Sequence, residues 1–479
     1  MRAMPKFVAV AVCLAVTGCA WTAGSWATEG TLASPAMADE LARRPLYRRA
    51  IEAAHWGMPA VNFQLMVREM RRVGGDYNQI VYWSKLLDWK NQTLTPNPDV
   101  IYLMPFFNTE SGPIVLEVPP ADDGVFNGSV MDYWQAAIED IGPGGVDKGK
   151  GGKYLILPPG FEEQVPDGYI PMPSKTYRGY ALIRSVLKSG SSEDFAKALA
   201  YAKRLRIYPL AQASSPPDTR FVDASGVVFD STIPYDLRFF TVLDEIVQAE
   251  PWLERDKAMI DMLKTIGIER GKPFEPDERT KLVLGDAMLE AKSDLYASYE
   301  MFARYYEDER WFVPMTEEMH QSIVKDWNVP DSYPVDARAV TYSLAFFSAK
   351  HLGKAQFYLM TGHDRDGEEL EGAASYRLHV PANAPVTQYW SMTVYDRFTH
   401  AFIRDARWVG RSSQTPGLKQ NNDGSVDIYF GPTPPPAGES NWIPIERNCQ
   451  LFEVLARFYG PQQPLYDKTW KLPDLERVK

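Results

Sequence analysis

The residues of this chain best suited to chemistry fall into two groups far apart in the sequence. The first is Asn97, Asp99 and Tyr102 with Asp132, Tyr133, Trp134 and Gln135. The second is Trp390, Tyr395, Asp396 and Thr399 with Asn441, Trp442 and Arg457. Carboxylates beside aromatic rings suit sugar-like or carbonyl-type ligands, because rings stack on apolar faces while Asp and Asn bind hydroxyls. In such a site Asp99 or Asp132 acts as general acid or base. Asn97, Tyr102 and Trp134 position the ligand, with Gln135 beside them. A strand would place Asp132 and Trp134 on one face. Each group also has a structural reading. Asn97 and Asp99 can bond turn backbone and fix the loop around Pro96 and Pro98. Asn441-Trp442-Ile443-Pro444 can be a corner whose Asn satisfies buried backbone groups.

Better-known constellations are absent. There is no His-Glu-x-x-His, no Gly-x-Ser-x-Gly and no Gly-x-Gly-x-x-Gly after a strand. Gly144 to Lys150 has phosphate-loop spacing, but Gly151 stands where Ser or Thr would hold magnesium. It reads as a surface loop. Asp364-Arg365-Asp366-Gly367 resembles a calcium-loop fragment, with later carboxylates in the wrong register, and reads as a hairpin turn. The six histidines show no ligand-pair spacing. His351 and His400 are the two to examine as bases, His400 because it follows Tyr395-Asp396. No cofactor is expected and no metal-ligand set is assigned; a bound divalent cation stays open.

The elements that must position these groups read as β-rich, helical, β-rich. From Pro45 an apolar helical spacing is interrupted by Gly57-Met58-Pro59, which predicts a break. Short aromatic or β-branched runs then predict strands at 79–83, 100–107, 113–118, 130–136, 154–157 and 177–186, followed by a helix over 192–205. The pattern turns helical from about Pro234 to Trp327. Strands return at 355–361, 375–380, 386–395, 402–408, 426–430 and 452–459. The fold class expected is α+β: two β-sandwich-like antiparallel domains of jelly-roll type, joined by a helical middle segment. The boundaries are 28–45 for a linker, 46–225 for the N-terminal β-rich domain, 226–329 for the helical segment and 330–479 for the C-terminal sandwich. No flexible Gly/Ser linker separates the two β domains, so they are expected to close around a shared cleft.

A chain of 479 residues, 45% hydrophobic and 24% charged, can bury a sizeable core. Its net charge of −11 opposes nucleic-acid binding. Arg2 and Lys6 precede an apolar run from Phe7 to Val16, about half the length of a bilayer span. Residues 1–27 therefore read as an export signal. Cleavage after Ala27 would free a soluble protein; Val16-Thr17-Gly18-Cys19 resembles a lipobox, which would lipidate Cys19. A soluble mature form keeps only Cys449, so neither a disulfide nor a cysteine metal cage is expected.

Several motifs in order resemble a known pair of bacterial domains. Thr95-Pro96-Asn97-Pro98-Asp99-Val100-Ile101-Tyr102, Gly112 to Pro119, Tyr154 to Gly160 and Val165 to Tyr169 resemble the domain of unknown function numbered 1254. Trp390 to Asp396, Asn422 to Tyr429, Glu439 to Pro444 and Arg457 to Pro461 resemble its C-terminal companion, numbered 1214. The resemblance implies a bacterial, often exported protein of two sandwich-like domains, and carries over no catalytic set. Pro98 and Val100 depart from the family, which more often has a small or polar residue and Thr beside the Asp. The expectation is an extracytoplasmic hydrolase acting on a small polar or carbohydrate-like compound. The alternative is a non-catalytic ligand-binding or envelope-associated protein. The partner expected is a small molecule, with membrane contact only through a lipid on Cys19 and the oligomeric state open.

Overall fold

The computed structural model describes residues 35–325, 327, 329, 332–345, 349–351 and 356–478. The leader, the lipobox and Cys19 lie outside them. Two compact units are present: residues up to Arg44, helical over their described part, and Pro45–Lys479, which carries everything below. Helix α1 (Pro35–Arg72) is followed by strands β1 (Gln79–Tyr82), β2 (Asn91–Gln92), β3 (Val100–Asn108), β4 (Ile114–Val118), β5 (Phe126–Asp132), β6 (Ala137–Ile141), β7 (Gly152–Leu157), β8 (Tyr169–Pro173) and β9 (Arg178–Val186). Helix α2 (Ser192–Ala202) and strands β10 (Arg206–Pro209), β11 (Phe221–Asp223) and β12 (Phe229–Asp230) complete this half.

The middle is helical: α3 (Leu237–Ala249), α4 (Lys257–Leu263), α5 (Glu278–Glu300), α6 (Glu317–Val324) and α7 (Val335–Leu344). The C-terminal half contains β13 (Gln356–Thr361), β14 (Ser375–Val380), β15 (Trp390–Asp396), β16 (Gly410–Ser412), β17 (Val426–Gly431), β18 (Trp442–Pro444), β19 (Phe452–Tyr459), α8 (Gln463–Tyr466) and β20 (Glu476–Val478). The fold is α+β, with a helical segment between two β-rich halves.

Each half stacks two sheets, and side-chain alternation decides what each face meets. The first pair runs β11-β1-β3-β9-β5-β6 and β10-β4-β7-β8. On β3, Ile101, Leu103 and Phe107 join Leu116, Tyr154 and Ile156 of the facing sheet in one core. Val100, Tyr102, Met104 and Phe106 point the other way, into the core shared with α1 and the helical segment. This double burial is why β3 reads as a continuous apolar run. The second pair runs β13-β19-β15-β16 and β18-β17-β14-β20. Phe452 meets Tyr376 and Phe430 across that sandwich. The opposite face of the β13-β19-β15 sheet carries Tyr358, Met360, Thr393, Tyr395, Leu455 and Arg457.

Four local expectations change. Helix α1 begins at Pro35, inside the stretch read as a linker, and runs through Gly57 and Pro59 without a break. An interior proline costs about 3 kcal/mol. Met58, Val61, Phe63, Met66 and Met70 are fully buried, and at about 1.5–3 kcal/mol for each such side chain their packing outweighs it. Gly57 lets the helix approach α3, since a Cβ there would sit 2.8 Å from a Leu243 methyl. The strand expected at 130–136 ends at Asp132, where a tight turn with Gln135 at φ +58° leads into β6. Asp132 and Trp134 therefore do not share a strand face. Residues 402–408 form loop and turns, because positive φ at His400 and Asp405 interrupts the extended chain.

Candidate functional site

Two facing sheet surfaces build the site. On the first, β3, β9 and β5 place Tyr102, Arg184 and Asn127 in one cross-strand row. The next row on that face holds Leu182, Ser129 and Asp140. Opposite, β13 and β19 align Tyr358 with Arg457 and Met360 with Leu455. Between them lies a cavity of about 390 Å³. Val313, Pro314, Met315 and His320 from the helical segment and Ala349 and His351 from the loop after α7 close its sides. That size lies in the range of small-molecule sites.

Two guanidinium groups line this cavity. Arg457 is 2% exposed, and both its Nη groups are engaged. Its Nη1 donates to Thr393 Oγ1 at 2.9 Å; its Nη2 donates to Tyr395 Oη at 2.6 Å, the Thr95 carbonyl at 2.8 Å and the Pro96 carbonyl at 3.3 Å. It thereby ties the C-terminal sheet to the loop before β3. Arg184 is 9% exposed and makes one hydrogen bond, from Nε to Tyr102 Oη at 3.3 Å. Its guanidinium also lies 5.4 Å from the Tyr102 ring centroid. Among the described residues it has no carboxylate partner. The acidic side of the cavity is already satisfied. Asp140 accepts from Ser129 Oγ at 2.6 Å and from the backbone N–H groups of Lys350 and His351.

The residues singled out from sequence divide between this cavity and other places. Tyr102, Arg457 and His351, one of the two histidines singled out as a base, line it, and Tyr395 and Asn97 brace it. Tyr395 Oη donates to the Pro96 carbonyl at 2.6 Å. Asn97 accepts from Asp99 N–H at 2.9 Å and donates to Tyr459 Oη at 2.5 Å. The two groups, 355 residues apart between Tyr102 and Arg457, thus meet across one interface. Asp99 sits behind this wall. Burial raises its pKa, while the charge of Arg457 and the Ser391 and Ser412 hydroxyls pull it down.

The others lie elsewhere. Asp132 caps its own turn, accepting from Trp134 and Ala136 N–H at 2.9 Å each, and burial raises its pKa. Trp134 packs on Trp56, with centroids 4.6 Å apart. Gln135 bridges helices and sheet, donating to the Pro59 carbonyl and accepting from Tyr180 Oη and, at its carbonyl, from Tyr342 Oη. Trp390 lies on the inward face of its sandwich, opposite Phe458. Asp396 caps the turn at Phe398 and Thr399. Asn441 holds the backbone of Lys419 and Asp427, and Trp442 Nε1 donates to the Gly431 carbonyl. His400 is buried on Glu453 at 2.7 Å, and Arg397 bridges Glu453 to Glu300.

None of Asp99, Asp132 and His400 lines the cavity. Among the described residues no cluster of His, Cys, Asp or Glu is placed to hold a metal ion, and no helix is long and apolar enough to cross a membrane.

Two stretches of the chain match known domain families, and they are the ones that face each other here. Residues 77–209 match the protein of unknown function DUF1254, and residues 355–463 match the protein of unknown function DUF1214. The chain carries the two matches in tandem, DUF1254 before DUF1214. In this tandem protein Tyr102 and Arg184 lie in the DUF1254 stretch, and Tyr358, Met360, Leu455 and Arg457 in the DUF1214 stretch. The VPA0106 protein from Vibrio parahaemolyticus has a similar fold, with 18% identity and a TM-score of 0.56 over 91% of this chain and 100% of that one. A putative uncharacterized protein from Burkholderia cenocepacia aligns over 92% of this chain and 96% of its own, with 10% identity and a TM-score of 0.42. Comparison with curated proteins gives no match.

Sequence reasoning missed Arg184, Ser129, Asp140, Tyr358, Met360 and Leu455. Arg184 did leave a signal: it is the single charge between Ala181-Leu182-Ile183 and Ser185-Val186 inside a buried strand. A cation there has to be paired, solvated or kept for a ligand.

Proposed function

We propose that this protein is an exported binding protein that encloses a small, largely apolar molecule between its DUF1254 and DUF1214 halves. The observation that carries the reading is the cavity of about 390 Å³ built jointly by β3, β5 and β9 and by β13 and β19. Most of its exposed wall is apolar, from Ile141, Val313, Met315, Phe357, Met360 and Leu455, interrupted by the polar side chains of Arg184, Asp140, His320, His351 and Gln356. That is the usual make-up of a ligand pocket. Binding is preferred to hydrolysis of a sugar-like compound on two grounds. Most of the wall surface is apolar, and Asp99, Asp132 and His400 are held in loop, turn-cap and ion-pair roles outside the cavity. Export is supported by Arg2, Lys6 and the apolar run Phe7 to Val16.

Titration with Nile red, a neutral apolar fluorophore, tests the cavity itself. Saturable binding at one dye per chain is expected, and Leu455→Trp, which fills the space, should weaken it at least tenfold. No saturable binding, or binding untouched by Leu455→Trp in a folded variant, would remove this reading.

A further inference from the structure

The under-bonded guanidinium of Arg184 points to the chemical class of the cavity's occupant. We infer that the site selects an organic monocarboxylate, its head group held by Arg184 and its apolar body along Met360, Leu455 and Val313. This rests on the cavity being the binding site.

The argument starts from what a buried arginine demands. A guanidinium stays charged at any pH a protein meets, and it carries five N–H donors in a planar fork. Removing such a charge from water is costly unless it is paired. Arg184 is 91% buried by its 9% exposure, yet only its Nε has a protein acceptor, at a long 3.3 Å. The other four donors have no hydrogen-bond partner among the described residues. Arg184 lines the cavity, so what those donors can meet is whatever fills it. The arrangement differs from that of Arg457, whose two Nη groups are taken up by Thr393, Tyr395 and two main-chain carbonyls. Arg457 lines the same wall with both Nη groups already bonded within the protein. The carboxylate that lines the same cavity, Asp140, is turned to Ser129 and to the N–H groups of Lys350 and His351. It leaves Arg184 unneutralised.

The shape of the remaining wall limits the anion. One free planar fork matches the two oxygens of a carboxylate in a bidentate pair. Apolar lining over most of the other surface disfavours a second charge or many hydroxyls. A single carboxyl group on an apolar body meets both conditions.

The test uses the full-length mature protein and three probes of one chain length: decanoate, decan-1-ol and decyl phosphate, each displacing Nile red at pH 7.5. Decanoate is expected to bind at least tenfold tighter than decan-1-ol, the scale of one charge-assisted bidentate pair. Arg184→Met should remove that preference, bringing decanoate affinity down to that of decan-1-ol. Equal affinity of acid and alcohol for the wild type, or a preference that survives Arg184→Met, would overturn the inference even if Nile red binding holds. Decyl phosphate binding tighter than decanoate would also overturn it, by assigning the head group to a phosphomonoester. Loss of Nile red binding to wild type would instead count against the cavity reading beneath it. Arg184→Lys serves as a second variant: it keeps the charge without the fork, so it should retain part of the acid preference.

Discussion

Replacing each cavity arginine with methionine should have unequal consequences for stability, and the contrast follows from their bonding. Arg457→Met removes donors from Thr393 Oγ1 at 2.9 Å and from the carbonyls of Thr95 and Pro96, while Tyr395 Oη keeps its own bond to Pro96. Hydrogen bonds from a charged donor contribute about 1.5–3 kcal/mol each, and orphaned buried acceptors add to the loss. The Thr393 and Thr95 bonds alone amount to about 3–6 kcal/mol. Arg184→Met removes one 3.3 Å bond and one cation–ring contact, together about 1–2 kcal/mol. It also removes an unpaired buried charge, which offsets that loss. The net change should fall within about 1 kcal/mol of zero. Guanidinium melts followed by tryptophan fluorescence and by far-UV circular dichroism give the midpoints, with coincidence of the two probes checking for intermediates. Arg457→Met should shift the midpoint well down and Arg184→Met hardly at all. Equal large losses would show that Arg184 is a structural cation, and the ligand argument would fail with it.

Two further outcomes separate structure from chemistry elsewhere. Asp132→Ala should destabilise by about 2–3 kcal/mol, because two turn N–H groups lose their shared acceptor; Asp132→Asn, which keeps Oδ1, should cost about 1 kcal/mol or less and leave Nile red affinity within about twofold. A catalytic or binding role for Asp132 would show as a tenfold change in Asp132→Asn. Asp474 gives a pH signature. Burial, then the neighbouring Glu309 carboxylate, pushes its pKa up to about 7. The native state therefore holds a proton that the unfolded chain releases near pH 3.9. That contribution is whole at low pH and is lost as pH rises from about 4 to about 7. Asp474→Asn keeps an acceptor for Arg310 N–H and mimics the protonated form. Its Tm should decline less than the wild type's between pH 5 and pH 8; parallel declines would refute the assignment.

Much of the fold was legible because burial leaves a periodic trace. Ser375–Val380 and Phe452–Tyr459 were read with the bounds the structure shows, and the helical middle was recognised from its apolar spacing. The family resemblance read at both ends matches the two domain families found. Misreadings came where tertiary packing overrode a local signal. Gly57 and Pro59 are break signals in isolation, but α1 is enclosed by core on nearly every side there. Residues 402–403 and 406 are apolar because they are buried in a loop, not because they pair in a ladder. The site was half legible for a related reason. Polar aromatic motifs marked Asn97, Tyr102, Tyr395 and Arg457, which join the halves. They also marked Asp132, Asn441 and Trp442, which only hold turns and corners. Alternation along β13 and β19 shows that Met360 and Leu455 share a face with Tyr358 and Arg457, but not that β3, β5 and β9 lie across from it. That pairing depends on contacts at least 170 residues apart, which no local pattern encodes.

The most direct test of the central claim is anomalous diffraction from crystals of the protein with 10-bromodecanoate. The account predicts one ordered bromine inside the cavity, near Met360 and Leu455, with the carboxylate density on the Arg184 guanidinium. A cavity holding only water while bromine orders at a separate surface, or a carboxylate turned away from Arg184, would contradict it.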